Sequence, residues 1–216
     1  MNTLNLKHKL VRAVIERDKV KVKLLLDAGA NPEILVVNSS NGDYMSLLFY
    51  ALLNKVDGED SNDTIVKSLV EAGADVNHVP EPCDKTPLFA AIYFRKSTVE
   101  YLLKHGANPN ISNKKHPLLA LCIDDNDIEC FKLLLEHGAD PNVTIPHNQY
   151  TCGTVLSGAI LSRQNKFVEL LIQHGARMKF EDYLWMYLIN PYLNYVDKLV
   201  NVYTNIFSKR KDDSHV

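Results

Sequence analysis

Apolar residues in this chain come in short clusters at helical spacing, not in the strict alternation of a half-buried strand. Five clusters share one form. An apolar residue at Val22, Val66, Val99, Phe131 or Val168 is followed by paired leucines or their equivalents, and then by a Gly-Ala step. The Gly-Ala steps begin at Gly29, Gly73, Gly106, Gly138 and Gly175, at intervals of 44, 33, 32 and 37 residues. The chain therefore repeats itself with a period of about 33, lengthened in places by insertions.

Upstream of each cluster lies a second recurring block. Its anchor leucines are Leu10, Leu48, Leu88, Leu118 and Leu156, followed three positions later by Ala13, Ala51, Ala91, Leu121 and Ala159. A small residue at that place lets two helices approach closely. Ser46, Thr86 and Thr154 stand where a hydroxyl caps a helix start, and Pro87 and Pro117 stand where a missing N–H costs nothing. Each repeat glycine is expected to end its helix in the left-handed conformation, and the Asn/Asp-Pro or Asp-Val step after it to turn the chain outward. One such helix pair cannot bury its apolar face alone, so stacking of neighbours has to complete the core.

The unit DKTPLFAAIYFRKSTVEYLLKHGANPN, residues 84–110, resembles the ankyrin repeat: a TPLH-type first helix, a V-x-x-LL second helix and a GADVN-type hairpin. The resemblance extends over about residues 7–179. It implies an all-α fold, an ankyrin-repeat solenoid of about five helix-turn-helix units with hairpin loops and a helical C-terminal cap. The expected units are 7–32, 45–78, 84–111, 115–143 and 153–179, within a repeat region spanning 1–179. Residues 180–208 would form an aromatic-rich cap and 209–216 a disordered tail. Insertions at 33–44, 54–63 and 143–153 map to loops, the second being acidic through Asp57, Glu59, Asp60 and Asp63.

The same resemblance implies a non-enzymatic module that binds, sequesters or scaffolds a target protein through the concave face formed by first helices and hairpins. On that mapping the partner-binding residues are Met45, Asn54, Lys85, Tyr93, Phe94, Arg95, Lys115, Asp124, Tyr150 and Leu161, and Ile15 and Ile123 occupy equivalent places. Tyr93 and Phe94 lead, because adjacent aromatics are costly to leave in water and aromatic anchors dominate interface energetics. The alternative is a two-sided adaptor whose C-terminal segment recruits a second protein. Residues 180–207 hold eight aromatics, Trp185 among them, and Asp182 is expected to cap a short helix there. Family members of this kind also imply a possible hydroxylation at Asn77, Asn110 and Asn142. They occur in eukaryotes, in large DNA viruses and in bacteria that inject proteins into hosts, so the compartment expected is the cytosol or nucleus, or a host cytosol.

Composition narrows the picture. A formal charge of −2 gives no global attraction to nucleic acid or anionic membrane, and no apolar run reaches a bilayer's span. Basic residues near the start, including Lys7, Lys9, Arg12, Lys19, Lys21 and Lys23, are expected to form a solvated polar end of the stack. Nucleotide, zinc-hydrolase and nucleophile-elbow motifs are absent, so neither catalysis nor a cofactor is expected. Cys83, Cys122, Cys130 and Cys152 lack metal-ligand spacing, and no metal site is expected. His105, His137 and His174 recur at helix ends, where an imidazole satisfies carbonyls. A protein partner and a chain monomeric on its own complete the expectation.

Overall fold

The computed structural model describes residues 3–37, 42–53, 61–80, 85–111, 116–148, 151–179 and 182. The described residues hold ten helices in five consecutive pairs, and four short strands. The chain divides into two compact units, one through Asp140 and one from Pro141.

In the first unit the pairs are α1 (Thr3–Ile15) with α2 (Lys19–Asp27), α3 (Leu47–Leu53) with α4 (Ser61–Glu71), α5 (Pro87–Phe94) with α6 (Lys96–Lys104), and α7 (Leu118–Asp124) with α8 (Ile128–Glu136). Each pair packs on itself, and like helices pack on like: α3 on α5, then α2 on α4, α4 on α6 and α6 on α8. Strands β1 (Leu35–Val37) and β2 (Tyr44–Ser46) form an antiparallel hairpin before α3, pairing Val37 with Tyr44 and Val36 with Met45. The insertion at 33–44 thus contributes β structure. The second unit carries β3 (Thr144–Asn148), β4 (Thr151–Thr154), α9 (Val155–Leu161) and α10 (Asn165–Gln173), with β3 and β4 again antiparallel.

The core is built at the positions that repeat. Val22, Val66, Val99, Phe131 and Val168 are wholly buried, and the anchor leucines from Leu10 to Leu156 are at most 2% exposed. Truncating such a side chain costs about 2–5 kcal/mol, because the surroundings collapse only in part. Every apolar block is therefore needed, and none is spare.

The ends of the helices follow from local chemistry. Hydroxyls of Ser46, Thr86 and Thr154 accept the backbone N–H groups of Phe49, Phe89 and Ser157 at 3.1, 3.1 and 3.3 Å. Gly106 closes α6 at φ +87°, and the other four repeat glycines lie between +85° and +95°. That region strains any residue with a Cβ, so glycine is the default helix terminator here. Arg17, Asn126 and Arg163 also take positive φ, in the turns inside the first, fourth and fifth pairs. Arg163 precedes the start of α10, while Asp18 and Asp127 immediately follow Arg17 and Asn126 and cap α2 and α8 through their side chains.

Successive hairpins are tied by asparagines. In the first unit the Asn77 amide donates to Gly106 O at 2.9 Å and accepts from Asn108 N at 2.8 Å. Asn110 does the same with Gly138 O at 2.9 Å and Asp140 N at 2.7 Å. In the second unit Asn142 reaches Gly175 O at 3.4 Å and accepts from Arg177 N at 2.8 Å. A primary amide supplies both donor and acceptor, which is what two exposed backbone groups of the next hairpin require.

Candidate interaction site

The last turn of α5 carries two adjacent exposed aromatics. Tyr93 is 42% exposed and Phe94 38%. Their ring centroids are 6.1 Å apart, and Phe89 extends the group with its ring 4.9 Å from that of Tyr93. α5 is apolar all round because its inner face meets α3 and α6, so its two C-terminal aromatics extend past the helices that cover the rest. The exposed Lys85 ammonium lies 5.4 Å from the Phe89 ring centroid, within reach of a cation–π attraction.

Acidic groups stand on the α7 side. The Tyr93 phenol is pushed above its ordinary pKa by partial burial, and further by Asp125 and Asp124. The Asp124 carboxyl is itself raised by burial and by Asp125, with His116 acting the other way. The arrangement offers apolar rings between unlike charges. It suits adhesion, and the groups gathered here do not form a nucleophile–base pair.

The structure separates the expected partner-facing residues into three sets. Lys85, Tyr93, Phe94 and Asp124 are exposed in the first unit, and Leu161 is 38% exposed at the end of α9 in the second. Met45 and Arg95 depart from expectation. Met45 is only 5% exposed, because the β1–β2 hairpin turns it inward beside Leu47 at the start of α3. Arg95 is 8% exposed; its guanidinium lies 3.7 Å from the Asp63 carboxylate of α4, which also accepts a hydrogen bond from the Ser97 hydroxyl. A buried charge is tolerable only when paired in this way. Asp63 consequently belongs to a packed helix and not to an acidic loop. Asn54, Lys115 and Tyr150 lie outside the described residues, as do 183–216. Ile123 is buried at 5%.

Residues 56–145 match the family model for ankyrin repeats, in three copies. Over that span the chain consists of ankyrin repeats. Ankyrin repeats generally mediate protein–protein interaction, and the family is typically non-enzymatic. No curated protein matches this ankyrin chain. Among the described residues no helix is long and apolar enough to cross a membrane.

Several other ankyrin features have definite roles. His105, His137 and His174 place Nδ1 2.8, 2.9 and 2.9 Å from the carbonyls of Tyr101, Leu133 and Leu170, at three helix C-termini. Cys122 and Cys130 are free and buried, and the hydrogen bond between them, followed by burial, raises the Cys122 thiol far above its ordinary range. Such a thiol is a poor nucleophile.

Sequence reasoning missed two things. Val20 and Leu24 are each 64% exposed on α2, so the outer face of the first pair is less polar than expected. Asp182 does not act only on its own segment: its carboxylate accepts from Thr154 N at 2.7 Å, from Thr154 Oγ1 at 3.1 Å and from Lys179 N at 2.7 Å. An Asp separated by 28 residues from the threonine it holds leaves no local sequence signal.

Proposed function

We propose that this ankyrin chain is a non-enzymatic interaction module that binds, sequesters or scaffolds a target protein. Its five helix pairs act as five repeats, those outside 56–145 being divergent copies of the same unit. The observation that carries the reading is the pair of adjacent, half-exposed aromatics at Tyr93 and Phe94, with Lys85 and Asp124 on their flanks. Aromatic anchors of this kind supply most of the energy of many interfaces.

Tyr93→Ala with Phe94→Ala is the test. The double variant is expected to weaken capture of specific protein partners by about 2 kcal/mol or more with its far-UV circular dichroism unchanged. Undiminished capture by the folded variant refutes the site. The adaptor reading is favoured by the eight aromatics in residues 180–207. It predicts that a chain lacking 177–216 loses one set of partners and keeps another.

A further inference from the structure

A second surface of the first unit has a distinct chemistry. Helices α1 and α3 and the β1–β2 hairpin enclose an open cleft of about 570 Å³. Its apolar lining includes Ile15, 53% exposed, Leu35, 45% exposed, and Val37, 57% exposed, together with Tyr50 of α3. Its charged lining comes from one stripe of α1, where Lys7 and Arg12, with the His8 imidazole between them, share a helical face with Ile15. No carboxylate is among the described residues that line it. Glu16, the residue after Ile15, is held by Arg12 and Lys21 outside the lining.

We propose that this cleft is a docking site for a partner protein's segment that combines apolar side chains with carboxylates. The inference rests on the protein-binding reading above and names the chemistry of a partner at the α1 end of the expected concave face, where Ile15 and Met45 lie, apart from Tyr93 and Phe94. Four observations select the occupant. The exposed Ile15, Leu35 and Val37 gain by leaving water together, so the segment must bring apolar side chains of its own. The basic edge favours carboxylates and rejects a basic segment. A second copy of this chain is disfavoured, because a two-fold contact would set Lys7 and Arg12 against their own counterparts. The chain's own acidic stretch at 54–60 offers only Val56 as an apolar filler, too little for a space of this volume.

The test is fluorescence anisotropy of the intact chain with two labelled peptides: a dodecamer of repeating Leu-Leu-Glu-Glu blocks and its Leu-Leu-Lys-Lys counterpart. The acidic peptide is expected to bind at least ten times more tightly, with affinity falling as salt is added. Ile15→Glu and, separately, Lys7→Glu are each expected to weaken it tenfold or more. Both residues are exposed, so circular dichroism and the urea midpoint stay at wild-type values. Equal binding of the two peptides overturns the inference, and so does wild-type affinity in the Lys7→Glu variant. A dimer in sedimentation that Ile15→Glu dissolves overturns it in favour of a second copy. A tenfold gain on replacing Asp57, Glu59 and Asp60 with asparagine overturns it in favour of the chain's own segment. If neither peptide binds while Tyr93→Ala with Phe94→Ala still abolishes capture of a protein, this inference fails and the protein-binding reading stands. If the intact chain captures no protein specifically, that reading is the one that fails.

Discussion

Replacing Asn110 with alanine removes two hydrogen bonds at once and leaves the apolar core untouched. The lost bonds are the 2.9 Å donation to Gly138 O and the 2.7 Å acceptance from Asp140 N. A neutral hydrogen bond contributes about 0.5–1.5 kcal/mol net. Gly138 and Asp140 are both exposed, so water replaces the amide at each and the lower half of that range applies. The expected cost is about 1–2 kcal/mol for the pair of bonds, read from urea unfolding followed by far-UV circular dichroism. Asn77→Ala should match it, since its two bonds of 2.9 and 2.8 Å have the same lengths within a tenth of an ångström. Asn142→Ala should cost about half as much, because its donor bond is stretched to 3.4 Å and weakens steeply at that length. Asn110→Asp adds a check of sign. The carboxylate keeps the acceptor but faces the Gly138 carbonyl without a proton to donate. Its penalty relative to wild type is therefore largest at neutral pH and shrinks as pH falls and the carboxyl regains a donor. A cost below about 0.3 kcal/mol for Asn110→Ala, or an equal cost for Asn142→Ala, refutes the claim that these amides tie one hairpin to the next.

The remaining predictions separate backbone strain, crowding and charge. Gly106→Ala should cost about 1–2 kcal/mol, all of it from φ +87°, because an added Cβ meets nothing within 4 Å. Gly153→Ala should cost more by thermal unfolding, since its Cβ would collide with Ser157 Oγ and Asp182 Oδ1; equal costs would refute the crowding. Asp127 caps α8 by accepting from Cys130 N at 3.1 Å and pairs with Lys96. Burial pushes its carboxyl up, but the Lys96 hydrogen bond and the backbone N–H groups of Cys130 and Glu129 together hold it below the ordinary range. A depressed folded pKa means that the stabilisation is complete above the unfolded value of about 4 and is lost as pH falls through the folded one. Asp127→Asn keeps the cap acceptor and should flatten that acid limb by about 0.5–1 kcal/mol, discounted because the Lys96 side chain is 57% exposed. An unchanged acid limb would show that the pair contributes nothing.

The fold was legible wherever one residue does its work within a few positions of the chain. Thr86 caps the helix that begins one residue later, and Gly106 ends the helix two residues before it. Val99 and Leu102 share a face because three residues make nearly one turn. The glycine stop and the apolar spacing recur five times and the hydroxyl cap three times, so the pattern survives drift in any single unit. What stayed hidden acts over longer separations or against local preference. The Arg95–Asp63 pair joins neighbouring helix pairs and turned an expected surface cation into a buried one. Met45 alternates to the inner face of a strand that the helical period does not announce. Arg17 and Arg163 adopt a conformation that glycine or asparagine would ordinarily signal.

The same division explains why the interaction surface is harder to read than the scaffold. A buried position such as Leu102 is constrained by every neighbour that touches it, and any polar substitute would be left unsatisfied. Tyr93 lies on the same helix face geometry as Ile123 by repeat alignment, yet one is 42% exposed and the other 5%. The difference is set by what projects from the next element, not by the residue's own place in the repeat. Packing therefore fixes where the chain goes, while the chemistry offered to a partner depends on which side chains the neighbouring turns leave uncovered. The aromatic end of α5 and the basic, apolar cleft beside α1 are two such uncovered places, and their unlike charges mean that, on the proposed reading, each would suit a different feature of a partner.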